Sequence, residues 1–276
     1  MAKTKHQLAP GVPVDLTLDS AKEWLRPRIS QRRFLHTEGV VQTAHEMAKR
    51  CHADEFLAQL AGWLHDACKE IKDKELIKMA KDYGLKLHPV EEINGHLLHG
   101  PVAAELVKHE LKLTNKDVLD AIAEHTLGAV NMTVLSKILF LADALEPGRS
   151  PEYCKPIWQA LHPCVWPDDK EMPLATSVHS VIEPDAGSTN ESTLGSTNGS
   201  TNESHSYPGH LAARSKVYGL DALKLTSQTP LDLDKAILAA CDIGLTDLIN
   251  CKRVIHPKTV KVRNAFLQIL KDRTPS

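Results

Sequence analysis

The sequence predicts an all-α fold: a helical bundle with a long disordered insertion before its last two helices. Three observations predict it. Apolar residues recur at helical spacing in nearly every patterned segment, and no alternating run is long enough for a convincing strand. Ser, Thr, Asp or Asn stands before several of these segments, and Gly or Pro follows them, as helix starts and stops require.

The elements follow in order. Ser20-x-x-Glu23 reads as a capping box opening a short helix that Pro27 stops. Ser30 precedes a longer helix whose inward face carries Val40, Ala44, Met47, Ala48 and Cys51, with His36 four residues before Val40 on that face. Asp54 caps the next helix, with an apolar stripe of Leu57, Leu60, Ala61 and Leu64 that ends in His65-Asp66. Asp73 opens a helix that Gly84 ends. Pro101 suits the first turn of a helix through Val102, Leu106 and Glu110. Thr114 or Asn115 caps one in which Val118, Ile122 and His125 share a face. Thr133 starts the run to Asp143, closed by Pro147-Gly148, and residues 233–251 and 257–271 read as two closing helices. The expected organisation is an N-terminal extension and short helix (1–29), a core (30–150), a linker (151–231) and the closing helices (232–271).

That linker differs in composition from the rest. Residues 171–213 contain no Lys or Arg, and Gly-Ser-Thr-Asn repeats within 187–204. Such a stretch has too little apolar surface to offset its ordering entropy, so it reads as a flexible insertion. Its Asn-x-Ser words fit the glycosylation pattern, which has no use without secretion.

The 276 residues can bury a substantial core, and a hydrophobic content of 42% is ordinary for a globular protein. A net charge of −2 gives no bulk attraction to nucleic acid or an acidic membrane. Residues 1–14 have no apolar signal region, and no apolar run, 138–142 included, approaches the length of a membrane span. The expectation is a cytoplasmic protein. The six cysteines form no Cys-x-x-Cys pair, which disfavours a zinc ribbon, and several sit at apolar helix positions as small core residues.

His65-Asp66 is the most informative pair, because charged groups against a core face are rarely buried unless they are paired or bind a metal. His36, His99, His125 and Asp143 also stand on apolar faces or at helix ends. Imidazole plus carboxylate, with no thiolate set, suits zinc, iron, manganese or cobalt. Four histidines and two aspartates exceed one tetrahedral site but suit two ions with open positions. Each residue alone is more often a hydrogen-bonded core or surface group, and only four of the 15 histidines belong to this set. Order and context must carry the reading.

The order His36, His65-Asp66, His99, His125, Asp143 resembles that of the HD-domain metal phosphohydrolases. The chain is more closely similar to one branch, the YqeK-type symmetrical bis(5'-nucleosyl)-tetraphosphatases. The matching words are Arg33-Phe34-Leu35-His36-Thr37, Leu64-His65-Asp66-Ala67-Cys68-Lys69, Leu98-His99-Gly100-Pro101-Val102, His125-Thr126-Leu127-Gly128 and Leu141-Ala142-Asp143-Ala144-Leu145-Glu146-Pro147-Gly148-Arg149. Leu233-Asp234-Lys235-Ala236 and Ile255-His256-Pro257-Lys258-Thr259-Val260, with Arg263-Asn264, fit the closing helices. The link over 150–232 is longer than the family usually has.

The resemblance implies two divalent metal ions, iron in the first instance, with Mn, Co or Zn as alternatives. One would take His36, His65, Asp66 and Asp143; the other His99 and His125, with Asp66 bridging. A hydroxide formed between them would split diadenosine tetraphosphate symmetrically into two ADP. Positive groups must then meet the phosphoryl charge. Lys69 is the first candidate, beside Asp66 as a catalytic residue; Arg149, Arg263, His256 and Thr126 are candidate substrate contacts. The expected partner is a dinucleoside polyphosphate, with neither nucleic acid nor membrane, and a homodimer is the candidate assembly. The rivals are another HD activity on a nucleotide, a sensor that binds without turnover, and a docking tether in the insertion.

Overall fold

The computed structural model describes residues 9–162 and 230–273. Its elements are α1 (Leu18–Leu25), α2 (Gln31–Arg50), α3 (Glu55–Leu64), α4 (Asp73–Asp82), α5 (Pro89–Ile93), α6 (His99–Glu110), α7 (Lys116–Glu124), α8 (Val134–Leu145), α9 (Pro151–Leu161), α10 (Leu233–Asn250) and α11 (Pro257–Arg273). Strands are absent among the described residues, as the spacing predicts.

Local chemistry sets most of the boundaries. The Ser30, Asp54, Asn115 and Thr133 side chains each accept a backbone N–H from the first turn of α2, α3, α7 and α8, satisfying donors that have no partner inside the helix. Gly84 adopts a positive φ of 74° after α4, where a side chain would be strained. The N-terminal segment is tied in by Gly11, whose carbonyl accepts from Thr114 N (2.8 Å) and Asn115 N (3.0 Å).

The layout centres on α2, which packs against α3 and α8. Helix α7 lies between α6 and α8, and α10 closes the bundle against α8, α9 and α11. Met47, Leu60, Leu64, Ile122, Ile138 and Trp158 are fully buried between them. Each such side chain contributes about 1.5–3 kcal/mol through removal from water. Cys68, Cys154 and Cys241 are buried free thiols in this core, whereas Cys251 is exposed.

Three expectations need correction. Thr17, not Ser20, caps α1; Ser20 is the third helical residue and returns the bond to Thr17 N at 2.8 Å. Pro27 does not end the coil outright, because Arg26–Arg28 continue it as a tight 3-10 turn. Residues 151–161 are not linker. They form α9, started by Ser150 with Pro151 at its first turn, and α9 packs on α10 and α8. Pro156 inside that helix removes a backbone donor and hid it from a pattern reading. The insertion and its repeats at 187–204 lie outside the described residues. Among the described residues, no helix is long and apolar enough to cross a membrane.

Candidate metal centre

The packing brings four histidines from four places in the chain to one carboxylate. His36 sits in the second turn of α2, His65 is the cap residue ending α3, His99 opens α6 after the 3-10 turn Gly95–Leu98, and His125 ends α7. Past His65 the chain tightens into successive turns, with Ala67 N on Leu64 O (3.3 Å) and Lys69 N on Asp66 O (3.0 Å). These turns direct both Asp66 and Lys69 inward. Gly100 allows α6 to meet α7, because a Cβ there would lie 2.9 Å from Ile122 O and 3.1 Å from the His125 ring.

Asp66 is 2% exposed and divides the histidines into two pairs. Its Oδ2 lies 3.6 Å from His36 Nε2 and 3.4 Å from His65 Nε2. Its Oδ1 lies 3.5 Å from both His99 Nε2 and His125 Nε2. The ligand atoms of His36, His65 and Asp66 lie within 4.8 Å of one another, as do those of Asp66, His99 and His125. Asp143 Oδ1 is 3.1 Å from His36 Nε2, on the first pair's side.

Hydrogen bonding behind the rings fixes which nitrogen faces in. The Nδ1 atoms of His65, His99 and His125 stand 2.7, 2.6 and 2.7 Å from the carbonyls of Gly62, His96 and Ile122. A carbonyl only accepts, so each Nδ1 carries the proton and each neutral ring presents an Nε2 lone pair to the centre. His99 Nε2 and His125 Nε2 are then 3.0 Å apart, lone pair toward lone pair. The Nε2 of His65 and the Oδ1 of Asp66 are buried without a hydrogen-bond partner. Buried acceptors facing one another are costly unless a cation lies among them, so this donor set fits divalent metal.

The electrostatics agree. Burial alone would raise the Asp66 carboxyl, but its positive surroundings, the Lys69 ammonium among them, outweigh that and hold it well below the usual carboxylate range. Asp143 is likewise held low, against burial, by the Arg149 guanidinium. Burial lowers His65, and burial with the nearby Lys69 ammonium pushes His99 well below its ordinary value. Burial also pulls on His36, but its hydrogen bonds to Asp143 and Glu146 outweigh that and raise it.

Of the other residues expected here, Lys69 Nζ lies 3.2 Å and Thr126 Oγ1 3.0 Å from His99 Nε2. Arg149 Nη2 holds Asp143 Oδ1 at 2.6 Å. Arg263 and His256 do not join them. Arg263 pairs with Asp242 at 2.7 Å, and His256 accepts from Lys258 N at 3.0 Å, capping α11 with its ring against His88. Two residues not singled out from sequence do join: Arg33, whose Nη1 is 3.0 Å from Asp66 Oδ2, and Glu146, whose Oε1 is 3.1 Å from His36 Nδ1. Both stand inside the words quoted for the resemblance, which was the only signal for them.

Residues 33–148 match the HD domain, the segment that holds all six candidate ligands. The chain is 38% identical over 129 residues, 47% of its own length and 68% of the other's, to the symmetrical bis(5'-nucleosyl)-tetraphosphatase of Halalkalibacterium halodurans. It is 35% identical over 132 residues to the protein of that name from Bacillus subtilis, covering 48% of this chain and 70% of the other. A crystal structure of a predicted HD superfamily hydrolase involved in NAD metabolism, from Clostridium acetobutylicum, superposes with a TM-score of 0.64 at 23% identity, over 92% of this chain and 98% of that one, which shows the shared fold. The chain is an HD-domain hydrolase and belongs to the symmetrical bis(5'-nucleosyl)-tetraphosphatase family.

Proposed function

We propose that this chain hydrolyses diadenosine tetraphosphate symmetrically to two ADP at a centre of two divalent ions joined by Asp66. The single observation that carries the reading is the division of four Nε2 atoms between the two oxygens of one buried carboxylate. His36, His65, Asp66 and Asp143 would hold one ion, and Asp66, His99 and His125 the other. Two such cations, iron or alternatively manganese, cobalt or zinc, supply a lowered water pKa and fixed positive charge for in-line attack at phosphorus.

The chain's own groups do the rest. Lys69 and Arg33 lie on opposite sides of the centre, beside His99 and Asp66, and would meet phosphoryl oxygens as charge grows on them. Arg149 keeps Asp143 aimed at His36 through two bonds, one to its carboxylate and one of 2.9 Å to its carbonyl. Thr126 would donate its hydroxyl to a substrate oxygen near the His99 pair. The water oxygen forms a bond to a central phosphorus while the P–O bond to the other ADP half breaks. The family supplies the substrate; the donor set supplies the metal dependence.

The test is metal analysis of the purified protein followed by chromatography of the products from diadenosine tetraphosphate. ADP alone is expected. AMP with ATP would overturn symmetrical cleavage, and no turnover with Fe, Mn or Co would favour a nucleotide sensor.

A further inference from the structure

We propose that Glu146 is a positioning residue for one half of the centre only: it orients His36, and so sets the strength with which the His36–His65 pair holds its ion. The proposal rests on the two-ion reading above. His65, His99 and His125 each find a backbone carbonyl three residues earlier, in the tight turns at a helix end, His96 O taking both the ring and the backbone N–H of His99. His36 lies inside α2, where carbonyls are already used along the helix; the one three residues earlier, Arg33 O, also accepts from Thr37 Oγ1 at 3.0 Å. A side chain must therefore do for His36 what backbone does for the other three, and Glu146, 110 residues later, does it at 3.1 Å.

The niche for this carboxylate is built in. Glu146 is 4% exposed, and a buried carboxylate needs several donors. Gly148 N donates to Oε2 at 2.6 Å, and Arg149 Nε lies 3.7 Å from Oε1. Space comes from two glycines: a Cβ on Gly39 would sit 3.0 Å from Oε2, and one on Gly148 2.9 Å from it. The same turn sends Arg149 to Asp143. Glu146-Pro147-Gly148-Arg149 thus clamps two ligands of one ion and none of the other. A carboxylate behind an imidazole fixes its tautomer and raises its basicity as a ligand, which is worth about 10- to 100-fold in metal affinity.

Glu146→Gln offers one acceptor oxygen to two donors, His36 Nδ1–H and Gly148 N–H, so one of them loses its bond. Mn(II) titration of the metal-free protein, read by EPR and by competition with a chelator, measures the consequence. In a His99→Ala background, which leaves the His36 pair, E146Q should weaken Mn(II) binding about 10- to 100-fold. In a His36→Ala background it should change nothing, whereas a merely structural role would weaken binding in both. Gly39→Ala crowds the same carboxylate without removing it and should give a smaller loss confined to the same pair. Unchanged affinity in the His99→Ala background, or equal loss in both, overturns the proposal. A wild type that binds two ions while E146Q matches it overturns this proposal alone; a wild type that binds none overturns the two-ion reading with it.

Discussion

Asp66 faces imidazole nitrogens on both of its oxygens, and that geometry decides how its loss must look. A peripheral ligand would cost one ion; a bridge costs both. Asp66→Ala is therefore expected to fall from two bound metals to none, with hydrolysis reduced by about a thousandfold, the scale on which preorganised charge acts at a reacting centre. Elemental analysis and product chromatography on the same preparation check it, and two retained ions would sink the bridge. The six candidate ligands were legible in sequence because each lies on an apolar face or at a helix end, where a polar residue demands a reason. Arg33 and Glu146 were not, since their partners lie 33 and 110 residues away and no local pattern encodes such a pairing. Arg263 and His256 went the other way. A guanidinium and an imidazole near the end of the chain look available for phosphate until Asp242 and the start of α11 are seen to hold them.

Helix ends, more than helix lengths, position the site. Three of the four histidines stand at a terminus, so the distance between one end and the next sets the separation of their rings. The contact of α6 with α7 at Gly100 is one of these approaches: a methyl group there would meet the Ile122 carbonyl and the His125 ring. Gly100→Ala is expected to destabilise the fold by about 1–3 kcal/mol through overpacking. It should also spread His99 from His125, so that one of the two ions is lost at lower chelator concentration than in wild type. Thermal denaturation of the metal-free variant reads the first effect and a chelator titration the second; a variant matching wild type in both would show that the approach has slack. Caps at Ser30, Asp54, Asn115 and Thr133 were readable because a side-chain oxygen before an apolar run has one obvious use. Helix α9 was not, because two prolines in 151–161 imitate a loop while buried Ile157, Trp158 and Leu161 hold it in place. Tertiary burial outweighed local propensity there.

At the scale of the whole molecule, the end of α9 and the start of α10 meet at nearly one point. Leu161 O accepts from Asp232 N at 3.0 Å. Helices α8, α9 and α10 pack on one another on either side of this junction, and all six candidate ligands lie before it, inside the HD match at 33–148. Because the two ends meet, the described residues set no minimum length on the segment between. Loop closure costs entropy only as the logarithm of length, so shortening a segment that does no more than close a loop changes stability by about 1–2 kcal/mol at most, toward greater stability. Deleting residues 171–210 is expected to leave two bound metals, wild-type turnover of diadenosine tetraphosphate and a melting temperature equal to or slightly above that of the full chain. Circular dichroism melts with metal and product analysis check all three. Lost binding or turnover in a variant that still melts cooperatively would mean that the inserted segment reaches the centre, and loss of the melt itself would mean that it completes the core.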